Sequence, residues 1–341
     1  MSGVCSRRAT KSIGLLSIGA LLLAFGGTLT GCGDQGRTVH AWAVAEMMDL
    51  TGIILRSDDG GRRWSVAFTE SPRPPLVPSQ LWAVDFVEQE TGWVVGDSEL
   101  LKTVDGGRTW TSQFQSNPSF VDDSTFQRVA FVDSNRGILA GRADYLVHPP
   151  HPGPGAPLLL FYTRDGGEHW RPASVEPSGG TVTPSICLFP NGVALRADSC
   201  EVLRSENFGE SWSRISTQPD LATTCSDRIA CLDSGAVWLV GTSLNALGVP
   251  VMLHSDDYGR TWQDESDRSP AMIAPGIDDL LFLSPMLGWT AAEGIPPSYQ
   301  PLLLHTADGG RPWIISPLPQ EPLAMGAGSV RSHSPAAMAS P

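Results

Sequence analysis

At 341 residues the chain has room for one large all-β domain or two ordinary ones. Beyond residue 31 it carries 20 basic against 36 acidic groups, with Lys102 the single lysine. This argues against a nucleic-acid partner, because phosphate binding needs clustered Lys and Arg.

The first element is a targeting segment that stands outside the fold. Arg7, Arg8 and Lys11 give it a basic start, and an apolar run follows from Ile13 to Phe25. That run is short for a membrane span, which needs about 20 residues. Leu29-Thr30-Gly31-Cys32 then resembles the lipobox of bacterial lipoproteins. In that family small residues let the peptidase reach the bond before the cysteine, whose thiol takes a diacylglyceryl group. The resemblance implies lipidation at Cys32 and a cell-envelope location, with the membrane as a partner through the anchor. Gly33 rather than Asp follows the cysteine, which in that family favours the outer membrane where two membranes exist. The expected division is a signal peptide over 1–31, a lipidated linker over 32–38, a folded domain over 39–330 and a loose tail over 331–341.

Six segments of the folded part align without gaps on S/T-x-D-x-G-x-x-W. They run from Ser57 to Trp64, Thr103 to Trp110, Thr163 to Trp170, Ser205 to Trp212, Ser255 to Trp262 and Thr306 to Trp313. The third position is Asp59, Asp105, Asp165, Asn207, Asp257 and Asp308. A short carboxylate or amide there can accept backbone N–H bonds and close a turn. The invariant glycine supplies positive φ, and the tryptophan lays apolar surface on the neighbouring strands. Asn207 keeps the hydrogen bonds but has no acid–base chemistry, so the position reads as a turn staple. One fixed carboxylate per loop is too few for calcium.

Short apolar runs precede each box. Val84 to Val87 is followed by Gly92-Trp93-Val94-Val95-Gly96, and Val129 to Asp133 by Gly137 to Gly141. Ile229 to Leu232 is followed by Val237 to Gly241, and Leu281 to Leu283 by Gly288-Trp289-Thr290. Each repeat therefore reads as strand A, hairpin, strand B, loop, strand C, box and strand D. Four antiparallel strands repeated radially make a propeller. The 60-residue spacing between Trp110 and Trp170 is filled by an insertion, Arg142 to Pro157, rather than by a hidden repeat. The expectation is an all-β, six-bladed β-propeller of four-stranded antiparallel blades, with seven blades as the alternative. The first repeat lacks a strand A, and Leu323 to Val330 is expected to supply it.

Asp boxes behind Gly-Trp-x-x-Gly hairpins resemble the BNR-repeat propellers, in particular the photosystem II assembly and stability factor type. Sialidases, sortilin-like receptors and some glucanases carry the same box. The resemblance covers about residues 40–316. It is specific for fold and weak for function, since one fold hosts many functions.

Alternating strand direction puts A–B hairpins and boxes on one face and the longer, irregular B–C and D–A loops on the other. Binding is expected on the irregular face, with Asp122, Asp123, Arg142, Tyr145, His148 and Tyr299 as candidates. His148 and His151 could share a zinc ion, but no further ligand sits near them. No metal and no cofactor are expected. His254 and His305 occupy the position filled by Arg56, Lys102, Tyr162 and Arg204 in other repeats, a polar repeat position rather than a catalytic one.

Cys187, Cys200, Cys225 and Cys231 remain after Cys5 and Cys32 are set aside, and allow three full pairings. Cys200–Cys225, on one face, is the favoured disulfide. Cys187 and Cys231 fall in adjacent inner strands, free or paired. No Phe/Tyr-Arg-Ile-Pro motif, G-x-S-x-G or H-E-x-x-H is present. A non-catalytic scaffold that binds an unknown protein or glycan is therefore expected, with a sialidase-like glycoside hydrolase as the alternative.

Overall fold

The computed structural model describes residues 10–11, 21–26, 40–46, 52–58, 65–69, 81–97, 99–114, 124–143, 158–175, 185–198, 201–215, 224–243, 250–266, 277–282, 284–292 and 302–316. All regular structure in them is β. The first sheet has the order β1 (Thr10–Lys11), β2 (Leu21–Gly26), β3 (Ala41–Glu46), β4 (Gly52–Ser57), β5 (Ser65–Thr69). The second runs β6 (Leu81–Phe86), β7 (Gly92–Gly96), β8 (Glu99–Thr103), β9 (Thr111–Ser112). The third runs β10 (Ser124–Phe131), β11 (Gly137–Ala143), β12 (Leu158–Thr163), β13 (Arg171–Pro172). In the fourth, β14 (Ser174–Val175) joins the edge of β18 (Ser211–Arg214) in parallel. Inward from there come β17 (Glu201–Ser205), β16 (Ala194–Asp198) and β15 (Ser185–Leu188). The fifth runs β19 (Thr224–Cys231), β20 (Val237–Ser243), β21 (Pro250–Ser255), β22 (Gln263–Asp264). The sixth runs β23 (Ile277–Phe282), β24 (Gly288–Ala292), β25 (Leu302–Thr306), β26 (Ile314–Ser316).

Residues 81–316 thus build five propeller blades, each with four antiparallel strands taken consecutively from the chain. The expectation of six such blades, and its seven-bladed alternative, are both corrected. The first sheet draws only β3, β4 and β5 from its own repeat, and its inner position is held by β2, from the N-terminal apolar run. Leu23 faces Ala43 and Ala24 faces Trp42, as Asp85 faces Trp93 in the second sheet. The strand expected there, 323–330, lies outside the described residues, as does the 331–341 tail.

The described boxes close in the same way. In the second sheet the Thr103 hydroxyl donates to Asp105 at 2.8 Å and accepts the Gly107 N–H at 2.9 Å. The Asp105 carboxylate accepts the N–H groups of Arg108 and Thr109 and the Thr109 hydroxyl, at 3.0, 2.9 and 2.7 Å. Gly107 has φ of 81°, a conformation that excludes most side chains. Asn207 makes the same turn, accepting from Ser205 and from the Ser211 N–H. The N–H of the fourth box residue is bonded to the A–B hairpin of its own blade, as Gly106 is to Glu90 and Tyr258 to Gly235. Boxes and A–B hairpins therefore share one face. Asp59 and Trp64 of the first box lie outside the described residues.

The core lies between the sheets, and its boundaries are of two kinds. At three of them a strand-B tryptophan stacks on the phenylalanine that ends the next inner strand. The pairs are Trp42–Phe86, Trp93–Phe131 and Trp238–Phe282, with centroids 3.7, 3.4 and 3.7 Å apart. The next box tryptophan meets that phenylalanine edge-on, as Trp170 meets Phe131. Each such phenylalanine faces a glycine, and a Cβ on Gly92 would lie 2.6 Å from the Phe86 ring. This close approach explains the Gly-Trp pair in the repeat. At the third–fourth and fourth–fifth boundaries the tryptophan is replaced by Ile138 or Leu195. There Leu188 faces Ala194 and Cys231 faces Val237.

The hydrogen bonds follow the same division. Where strand B has tryptophan, its indole donates to the fourth box residue of the next blade: Trp42 to Gly106 O, Trp93 to Gly166 O and Trp238 to Gly309 O. Where strand B is aliphatic, the box tryptophan donates to its own glycine instead, Trp212 to Gly209 O and Trp262 to Gly259 O. The fourth box residue is then aromatic, Phe208 or Tyr258, at φ of 58° and 62°.

Candidate functional site

The inner strands converge on the axis and enclose a cavity of about 130 Å³. Four of them, β6, β10, β19 and β23, carry a bulge near their start, between Leu81 and Ala83, Phe126 and Arg128, Ser226 and Arg228, and Ile277 and Asp279. Such a bulge bends a strand and re-aims its side chains. The polar side chains of the lining are Asp85, Arg128, Ser185 and Asp233, among otherwise apolar residues.

Several of these groups bind one blade to the next. Asp85 is buried and its carboxylate accepts the Phe131 N–H at 2.6 Å. The Ser185 hydroxyl accepts the Ile229 N–H at 3.1 Å and donates to the Ile229 carbonyl at 3.3 Å. Two residues further along the same strands Cys187 and Cys231 form a disulfide, with Cα atoms 6.1 Å apart. Of the two states expected for these cysteines, free or paired, the structure shows the pair, and the bond lies in the cavity wall where neighbouring inner strands converge. Cys200 and the Cys225 side chain lie outside the described residues. Arg128 donates to the Gln127 carbonyl at 2.8 Å. The cavity wall can offer a carboxylate, a guanidinium and apolar surface to a ligand. Sequence reading did not find it, since no local pattern marks which strand ends meet at an axis.

The face that carries the expected binding residues is only partly described. Arg142 is the next-to-last residue of β11, its backbone opposite Thr125 and Leu158. Asp122, Asp123, Tyr145, His148 and Tyr299 lie outside the described residues, as does the Arg142 side chain.

On the box face the residue before the box covers or crosses a boundary in four of the repeats. The Lys102 ammonium lies 5.6 Å from the Trp93 ring and His254 stacks on Trp238 at 4.8 Å. Arg204 donates to the Tyr258 carbonyl at 3.3 Å, and the Tyr162 hydroxyl to Glu210 at 3.3 Å. These contacts account for the polar repeat position, His254 included. Burial pushes the His254 imidazole below its ordinary value; Asp256 at 3.4 Å opposes this and Arg311 adds to it. Arg311 itself pairs with the buried Glu265 across the fifth–sixth boundary. The Thr109 hydroxyl and N–H hold Asp105 down to about 2. Burial acts to raise Asp165 and Asp257, but the hydrogen bonds of His169 and Thr261 leave both lowered. Among the described residues no group of three or more His, Cys, Asp or Glu is placed to hold a metal ion.

The sheets and their repeated turn define a β-propeller built on the Asp-box pattern. Within that class, residues 76–170 match the family described as photosynthesis system II assembly factor YCF48. The chain is 25% identical over 208 residues to the chloroplastic photosystem II stability/assembly factor HCF136 of Arabidopsis thaliana. That alignment covers 59% of this chain and 46% of the relative, so the match spans about half of that relative's length. The solved structure of YCF48 bound to D1 peptide superposes with a TM-score of 0.53 at 15% identity, over 91% of this chain and 82% of that one. An ancestral GH74 enzyme superposes with a TM-score of 0.54 at 14% identity, over 86% and 38%. At these identities both structures speak to fold alone. The chain resembles the photosystem II assembly-factor propellers.

Proposed function

We propose that the protein is a non-catalytic assembly scaffold that binds a protein partner outside the cytoplasm. The observation that carries this reading is the match of residues 76–170 to the assembly-factor family. YCF48 has been solved with a D1 peptide, and a peptide or protein segment is the ligand class we carry over. The irregular loop face around Arg142 is the proposed docking surface, with Asp122, Asp123, Tyr145, His148 and Tyr299 as its other candidates.

In the same reading residues 1–31 are a leader and Cys32 carries the lipid that holds the propeller at the cell envelope. The disulfide between Cys187 and Cys231 supports an oxidising compartment. The charge balance beyond residue 31 speaks against nucleic acid. The glycoside-hydrolase alternative has fold likeness to the GH74 enzyme behind it and no catalytic motif.

Cross-linking and pull-down of the tagged full chain from its own envelope tests the scaffold. The expected result is a membrane protein retained at stoichiometric level and lost when Arg142 is replaced by Glu. Turnover of a fluorogenic sialoside or xyloglucan oligosaccharide by the same preparation would overturn the non-catalytic reading.

A further inference from the structure

The disulfide between Cys187 and Cys231 occupies two positions that the repeat fills differently elsewhere. Cys187 faces Leu195, as Asp85 faces Trp93 in the second sheet. Cys231 ends β19 and faces Val237, as Phe131 ends β10 and faces Gly137. The S–S bond therefore joins the same two positions that the Asp85 carboxylate and the Phe131 N–H join between the second and third sheets. That boundary also has the stack of Trp93 on Phe131. The fourth–fifth boundary has Leu195 and Cys231 in those two places, so the covalent bond stands in for both the hydrogen bond and the stack.

Opening the bond would leave this boundary with weaker links. The Ser185 hydroxyl still bridges to the Ile229 backbone. Phe189 still meets Tyr258 edge-on at 5.1 Å, and Arg204 still donates to the Tyr258 carbonyl. The two sheets would stay in contact, held less tightly at the axis, while the aromatic boundaries keep their stacks.

The two sulfurs differ in how they can be reached. Cys187 is 2% exposed and belongs to the apolar cluster of Phe189, Leu195 and Leu253. Cys231 is only partly buried and lies at the edge of that cluster. It is followed by the hairpin residues Leu232 and Asp233, the second of them exposed, and all three line the axial cavity. Thiol–disulfide exchange needs a thiolate to reach one sulfur of the bond. From the cavity that sulfur is the one of Cys231. A space of about 130 Å³ takes a thiol of a few heavy atoms, but not a loop of a protein.

We propose that Cys187–Cys231 is a thiol-exchange site, opened by a low-mass thiol that enters the axial cavity, and that its state sets how tightly the fourth and fifth sheets are joined. The incoming thiolate bonds to the Cys231 sulfur, the S–S bond breaks, and Cys187 leaves as a thiolate that takes a proton from solvent. A second small thiolate then attacks the small-molecule sulfur of the mixed disulfide and releases the Cys231 thiolate, which is protonated in turn. Two small thiols are oxidised to their disulfide, and one protein disulfide is reduced to two thiols. Apolar surroundings disfavour the departing Cys187 thiolate, so the step is slow and calls for thiol in excess. The inference does not depend on the scaffold reading.

Reduction of the full chain by free cysteine without denaturant, stopped by alkylation and read by mass spectrometry, tests the proposal. Loss of the Cys187–Cys231 peptide is expected to be first order in cysteine and unchanged by Trp93→Phe, which weakens a different boundary. A bond that opens only on unfolding would instead be reduced about fivefold faster or more in that variant, and this result overturns the site. A thioredoxin-type protein dithiol at equal thiol concentration is expected to act more slowly than cysteine; faster reduction by the protein overturns the choice of a small thiol. In single variants the Cys231 thiol of Cys187→Ser is expected to alkylate at least about tenfold faster than the Cys187 thiol of Cys231→Ser, and equal rates count against attack at Cys231. In the reduced wild-type chain, amides of β15 and β19 are expected to exchange at least about tenfold faster, with those of β6 and β7 unchanged. Exchange that stays the same throughout, or rises in all the sheets alike, overturns the link between the bond and this one boundary.

Discussion

The Trp93 indole N–H donates to the carbonyl of Gly166 at 3.1 Å, from strand B of one blade into the box of the next. The same tryptophan is fully buried and stacks on Phe131. Removing the donor while keeping a ring, as in Trp93→Phe, is expected to cost about 1–3 kcal/mol, because the acceptor stays buried. Trp93→Ala should cost about 3–5 kcal/mol. The reverse substitution at an aliphatic boundary, Ile138→Trp, should also destabilise, by about 1–3 kcal/mol of overpacking. There the fourth box residue is Phe208 rather than glycine, and a Cβ on Gly209 would lie 2.6 Å from Ile138. Denaturant unfolding of the three variants measures all of this, and a neutral Ile138→Trp would contradict the two-boundary description.

The box carboxylates act as hydrogen-bond acceptors rather than as charges. Asp105→Asn should therefore cost less than about 1 kcal/mol, and Asp105→Ala about 1–2 kcal/mol, through the loss of the turn's acceptor. Asn207 already performs the role. Equal losses in the Asn and Ala variants, measured by urea unfolding, would count against the staple.

Stability should depend on pH in two windows. The Asp105 value of about 2 lies below its ordinary 3.8, and Asp165 and Asp257 are lowered as well. Their contribution is complete above the unfolded value and is lost as pH falls through the folded one. The unfolding midpoint should accordingly fall between about pH 4 and pH 2, less steeply in Asp105→Asn. His254 is also lowered, from 6.5. The stability it contributes is present above that value and lost on acidification below it. His254→Gln should flatten that upper window, and an unchanged profile would refute the assignment.

Peptide mapping without reductant should recover Cys187 linked to Cys231. Cys187→Ser with Cys231→Ser is expected to cost about 2–4 kcal/mol, the usual worth of a disulfide that closes a loop of this order. The loss should appear in the fourth and fifth sheets, as faster amide exchange in β15 and β19. A map that finds Cys187 as a free thiol in the envelope protein would overturn this.

Much of the fold is legible because the box is local. Ser or Thr, Asp or Asn, Gly and Trp interact within eight residues, so their pattern marks each turn and, from it, the four strands around the turn. What joins separate repeats is not local. The repeats place Cys187 and Cys231 in adjacent inner strands, but whether the two bond depends on how closely those strands converge at the axis, which no spacing within one repeat records. Position β2 was illegible for the opposite reason. Its apolar run reads as a leader by composition, and its Leu-Ala-Phe-Gly end is ordinary until placed beside Trp42. The candidate residues on the loop face rest on exposure and residue type, which say where contact is open but not with what.

The two boundary types bear on how such a chain can be recombined. Sequence repeats at the box, but the residues that must agree with one another straddle neighbouring blades: Trp93 with Phe131, Gly137 and Gly166, or Ile138 with Leu188, Ala194 and Phe208. A blade transplanted alone would bring half of each agreement and meet a stranger at both sides. The portable module begins at one strand B and ends at the next box, offset from the visible repeat. Grafts, duplications or circular permutants cut on that offset frame should keep their seams matched.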